Sequence, residues 1–143
     1  MTIELLSLVL SLQPVEPGKD IPVPDWWGSA ANNLFFEAIS SLDSDFAQAL
    51  HDDAGTRPFT ISSLIGRFPS NGLAAGEVYR LRITALRKDV AGLVLRAIEP
   101  GSMLQTGAQI ELDYIPFKII DSTCSQEKHA WASVSTYQDL AAN

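Results

Sequence analysis

His51 and Arg57 are the residues of this chain whose types and spacing could do chemistry together. A histidine gives or takes a proton near neutral pH. An arginine cannot act as a base, but its forked donors can hold a phosphate. The stretch "HDDAGTR" sets the two on either side of a polar turn through Gly55 and Thr56. Such a pair could cut RNA without a metal. One group would manage the proton on the 2′-hydroxyl or on the leaving 5′-oxygen, and the other would stabilise charge on the transition state. The plainer reading is a solvent-exposed histidine that finishes a surface helix, and spacing alone favours it. Asp52 and Asp53 adjoin the histidine. One of these carboxylates could orient the imidazole, although a solvated acidic turn is the commoner use of such a pair.

A second basic group sits at Arg80 and Arg82, with Arg87, Lys88 and Arg96 following. On a strand, Arg80 and Arg82 project from one face and could meet an RNA backbone. Ordinary charges on a half-exposed sheet face explain them equally well. No pair of stacking aromatic residues marks the central strands as an RNA-recognition platform. Gly66, Gly72 and Gly76 do not follow a strand-to-helix pattern, so they make a loop rather than a phosphate cradle. Two histidines and one cysteine cannot supply a four-ligand zinc site, and no second acidic cluster supports another metal. The 17 acidic residues outnumber the 10 basic ones and leave a net charge of −7. That balance disfavours non-specific nucleic-acid binding while leaving room for a local basic patch. Cys124 has no partner within the chain, which suits the reducing cytoplasm. The apolar run "LLSLVLSL" lacks a basic flank and falls short of the ~20 residues of a membrane span.

The elements that position these residues follow from periodicity. Residues 3–12 alternate, with Leu6, Leu8, Leu10 and Leu12 on one face of a strand. A proline-rich loop ending in Trp26 and Trp27 leads to a helix over residues 28–41, where Leu34, Phe35, Ala38, Ile39 and Leu42 recur at helical spacing. The tryptophans staple the helix entry to the core. Asp43 or Ser44 caps a second short helix, with Phe46, Ala49 and Leu50 as its buried stripe and His51 in its last turn. "RPFTISSLIG" and "GEVYRLRITAL" read as strands, and "RKDVAGLVLRAIE" as an amphipathic helix. "AQIELDYIPFKIID" reads as one long strand with a bulge or bend at Ile115–Pro116, where the apolar parity changes. Trp131 anchors the exit from the domain, His129 is a surface residue, and "SVSTYQDLAA" looks like the start of another helix. The order predicts an α+β fold, a ferredoxin-like (RRM-like) βαββαβ sandwich with an antiparallel sheet and the helices on one face. Residues 1–130 would form this domain, and residues 131–143 the start of a linker or helix toward a second domain.

"ALHDDAGTRPFTISSLIG", placed after "LFFEAI" and before "YRLRIT", resembles the N-terminal half of the CRISPR repeat-cleaving endoribonucleases of the Cas-six type. "WASVSTYQDLAA" is similar to the segment that leads into their second ferredoxin-like domain. The resemblance implies a metal-independent endoribonuclease, with no cofactor, that binds CRISPR repeat RNA and cleaves precursor CRISPR RNA. The 2′-hydroxyl would attack, leaving a 2′,3′-cyclic phosphate and a 5′-hydroxyl. It implies that His51 is the catalytic acid or base and that Arg57 matches a basic residue, often lysine. A tyrosine that completes the site in some members is matched here by Phe36, which has no hydroxyl. The family's second domain and its glycine-rich loop have no counterpart in these residues. Two alternatives stand beside this one: a non-catalytic module that binds CRISPR RNA or docks on effector-complex proteins, and an unrelated ferredoxin-like domain that dimerises through its open sheet face.

Overall fold

The computed structural model describes residues 5–15, 27–53, 57–68, 73–74, 76–112, 115–124 and 132–135. Its central strand, β1 (Leu5–Pro14), is apolar enough to be covered on both faces. Leu6, Leu8, Leu10 and Leu12 are buried on one face, and Val9 is equally buried on the other between the small residues Ser7 and Ser11. β1 pairs antiparallel along one edge with β3 (Tyr79–Ala85). Its other edge pairs with β5 (Ile115–Thr123) from Val9 to Pro14. β2 (Phe59–Ile61) and β4 (Gln109–Leu112) complete the spatial order β2-β3-β1-β5-β4. This is the expected ferredoxin-like βαββαβ arrangement, extended at one side by β4.

Among the described residues, three helices contribute to the core on the leucine face of β1. α1 (Trp27–Leu42) buries Ala31, Leu34, Phe35, Ala38 and Ile39, the i, i+3, i+4, i+7, i+8 stripe of an amphipathic helix. α3 (Lys88–Ala97) buries Val90, Ala91, Leu93, Val94 and Ala97 in the same core. Between α1 and α2 (Ser44–Asp52) the chain bends at Asp43. Its backbone is extended, and its carboxylate accepts a hydrogen bond from the Phe46 N–H at 3.0 Å. Asp43 also donates its own N–H to the Ile39 carbonyl at 2.9 Å, so one residue closes α1 and caps α2. The buried residues of α2 are Ala47 and Leu50, with Phe46 partly buried, whereas Ala49 is exposed. Ala47, two residues before the expected Ala49, therefore fills the middle of the stripe. Among the described residues, no helix is long and apolar enough to cross a membrane.

Three expectations change. "AQIELDYIPFKIID" is a hairpin, because Leu112 pairs with Ile115 and β4 runs back along β5. The parity change at Ile115–Pro116 marks a chain reversal rather than a bend within one strand. A bulge does occur in β5, but farther along. Leu12 pairs with Ile119 and Ser11 with Asp121, leaving Ile120 as the extra residue. "RPFTISSLIG" is broken into β2 and a single bridge between Ile65 and Arg80, with the register slipping by one residue in between. The bridge brings Gly66 against the buried Tyr79 ring, where a Cβ would collide. Finally, Ser133–Ser135 is a strand, β6, paired with Leu5–Ser7 on the edge of β1 that β5 leaves after Val9. The helix expected over "SVSTYQDLAA" is thus a strand over its first three residues, and the rest of that stretch lies outside the described residues, as do Trp26, His129 and Trp131.

Candidate functional site

The site is assembled from the end of α2, the middle of α1 and the entry to β2. α2 begins where Asp43 caps it, and nine residues later it ends at Asp52 with His51 in its last turn. Asp45 lies in its first turn, so both ends match the helix dipole. The His51 side chain is 64% exposed. Its ring packs edge-to-face on Phe36 of α1, with centroids 5.3 Å apart. Phe36 in turn meets Phe59 of β2 edge-to-face at 5.6 Å. Phe59 is buried and stacks on Phe35 at 4.4 Å, which ties this group of rings to the core. Arg57, exposed just before β2, places its guanidinium carbon 5.7 Å from the centre of the Phe59 ring. This is the range of a cation–π contact. His51 and Arg57 thus rest on two touching rings, Phe36 and Phe59.

Around the imidazole, Asp52 Oδ1 lies 3.5 Å from His51 Nδ1. Asp52 Oδ2 accepts a hydrogen bond from Gln48 Nε2 at 2.9 Å. The Gln48 amide, followed by His51, holds the Asp52 carboxyl below the ordinary carboxylate range. Of the two adjacent carboxylates in the sequence, Asp52 is the one beside the ring. Among the described residues, no three His, Cys, Asp or Glu side chains converge.

Arg80 and Arg82 share a face of β3, as their parity requires, and that face lies opposite the helices. They are not simply projecting charges. Arg82 Nε donates to Ser7 Oγ at 2.7 Å, which lays the side chain across β1. Arg80 Nε is buried with no hydrogen-bond partner. Neither arginine belongs to the ring group that seats His51 and Arg57. Phe59 was not singled out in the sequence, and Phe36 stood out there only as the match of a family tyrosine. Two signals point to them. The doubled phenylalanine of "LFFEAI" pushes one ring off the buried stripe, and Phe59 shares strand parity with Arg57.

Solved structures share this fold. The solved structure of a Cas6 (TTHB231) product complex is 25% identical, with a TM-score of 0.71 over 95% of this chain and 47% of that one. A Thermus thermophilus Cas6 (TTHB231) structure is 22% identical, with a TM-score of 0.56 over 98% of this chain and 44% of its own. A protein described as Cas6-related, from Pyrococcus furiosus, is 14% identical with a TM-score of 0.60 over 83% of this chain and 47% of its own. The chain spans about half the length of these structures. No curated protein sequence matches it. The family model of the CRISPR Cas6 N-terminal domain matches residues 5–80. That match runs unbroken from the central strand through both helices of the site to the start of β3, more than half of the sequence, and the chain belongs to the CRISPR Cas6 N-terminal domain family.

Proposed function

We propose that this chain carries the catalytic side chains of a CRISPR RNA-processing endoribonuclease that works without metal. The observation that supports the reading most is the seating of His51 and Arg57 on the adjoining Phe36 and Phe59 rings, within the segment matched by the family. In the reaction, the 2′-oxygen of the RNA forms a bond to the adjacent phosphorus while the bond to the 5′-oxygen breaks. The proton leaves the 2′-hydroxyl, and the departing 5′-oxygen gains one. His51 acts as the acid or base in this exchange, and Arg57 stabilises the charge that builds on the phosphate oxygens. The products are a 2′,3′-cyclic phosphate and a 5′-hydroxyl. Arg80 and Arg82, on the other face of the sheet, are proposed RNA-backbone contacts. Because β6 joins Ser133–Ser135 to the sheet, we take the first domain to run through residue 135, with the residues after it leading toward another, a reading the relatives' greater length supports.

The test is cleavage of repeat RNA by the full-length protein in EDTA, with and without His51→Ala. Cleavage that survives chelation and falls on the order of 10²–10⁴-fold in the variant is the expected result. Equal cleavage by both proteins would overturn the role of His51. A second reading, RNA binding without cleavage, is favoured by one observation: the ring against His51 is Phe36, which brings no hydroxyl to the site. RNA bound tightly and left intact by both proteins would select it.

A further inference from the structure

The His51 ring is held from two directions. Phe36 presents its ring to the imidazole at 75° to the imidazole plane, and the Asp52 carboxylate stands beside Nδ1 at 3.5 Å. Neighbouring residues on a helix do not ordinarily face each other. Here they meet because Asp52 is itself tethered: Gln48, one turn earlier, donates its side-chain amide to the far carboxylate oxygen at 2.9 Å. Oδ2 is occupied by Gln48, and Oδ1 is left for the imidazole.

We propose that Asp52 is a positioning residue for His51, clamped by Gln48, holding the hydrogen on Nδ1 so that Nε2 is the nitrogen that exchanges a proton with RNA. The proposal rests on the catalytic reading of His51 given above. A ring nitrogen that donates to a carboxylate carries the hydrogen, and the other nitrogen then carries the lone pair. The separation of 3.5 Å is long for a hydrogen bond. Such contacts tighten once substrate is bound. The Asp52 carboxyl is held below the ordinary carboxylate range by Gln48 and then by His51, so it is charged at neutral pH. When His51 takes a proton, the same carboxylate faces the new positive charge. Asp52 touches neither phosphate nor sugar in this scheme, and its effect passes through the imidazole.

Two readouts test this. The first is long-range proton–nitrogen correlation NMR of ¹⁵N-histidine protein at about pH 8.5, where an ordinary imidazole is neutral. His51→Ala removes one set of histidine signals and so assigns them. The expected spectrum has the Nδ1–H form dominant for His51. Asp52→Ala should shift the population toward Nε2–H, and Gln48→Ala should shift it the same way by less. Both residues are exposed, so the variants fold. An identical tautomer balance in wild type and Asp52→Ala would overturn the proposal whatever the cleavage activity. The second readout is cleavage kinetics in the full-length protein. Asp52→Ala should lower kcat on the order of tenfold with KM unchanged, and Asp52→Asn should not recover the loss, because an amide that donates to Nδ1 favours the other tautomer. A rise in KM alone would overturn the positioning role. If His51→Ala cleaves as well as wild type while the tautomer still depends on Asp52, the catalytic reading fails and the clamp remains.

Discussion

Phe36 and Phe59 carry neither a proton nor a charge, yet His51 rests on one and Arg57 on the other. The two chemical groups arrive from different elements, so the rings set their separation. Phe59 is buried and touches Phe35, Phe36 and Arg57. Phe59→Ala should destabilise the protein by about 3–5 kcal/mol in urea unfolding. Phe59→Leu keeps most of the volume and should fold, at a cost of less than about 2 kcal/mol. It removes the flat, electron-rich face under Arg57, so cleavage should fall more than stability does. Equal activity of Phe59→Leu and wild type would show that the guanidinium needs no ring beneath it. At this scale the two residue types were legible, although spacing alone favoured a surface histidine that ends a helix, and it was the resemblance that singled the pair out. Their seat was not legible. Phe35 and Phe36 look alike in a hydrophobic pattern, and only packing separates the ring that enters the core from the one that turns to the imidazole.

Among the elements, the break between α1 and α2 controls where His51 stands. Asp43 ends one helix and starts the next, so the phase of α2 and the direction of its last turn depend on that cap. Asp43→Ala should lower stability by about 1 kcal/mol in urea unfolding, and Asp43→Ser should restore most of it. No change in Asp43→Ala would mean that packing of Phe46, Ala47 and Leu50 alone sets the bend. The break was readable because an aspartate three residues before the Phe46 N–H is a strong capping signal. The β4–β5 hairpin was not readable, since Asp113–Tyr114 lacks the glycine or asparagine that usually marks a two-residue reversal. Alternation on both sides of that reversal imitates one continuous strand. The break in "RPFTISSLIG" was hidden for a related reason. A one-residue slip leaves local hydrophobicity nearly intact and is decided across the sheet by the Ile65–Arg80 bridge.

For the molecule as a whole, the order of strands in the sheet followed from the order of elements in the chain, because a βαββαβ chain has few right-handed ways to close. The second face of the sheet was less predictable. It was expected to be open, yet Ser7, Val9, Ser11 and Thr123 are all buried there, and Arg82 lies across β1. Cys124 follows the last residue of β5, and burial pushes its thiol up to about 11 from 9.0. Between these values the unfolded chain loses the proton before the folded protein does. The folded state then binds more protons, so global stability should fall as pH rises from about 9 to about 11. A Cys124→Ala variant should lose less stability over that window in urea unfolding. Parallel pH curves for the two proteins would rule out this coupling. The central strand has one more consequence, in the timing of synthesis. β1 is made before the strands that flank it, and its edge along Val9–Pro14 stays bare until Phe117–Thr123 emerges about 100 residues later. At ordinary elongation rates that is roughly 5–20 s in which an apolar strand waits half-paired beside β3 or unpaired altogether. The strand at the centre of the sheet is therefore the one whose pairing is completed late, by a segment made near the other end of the fold.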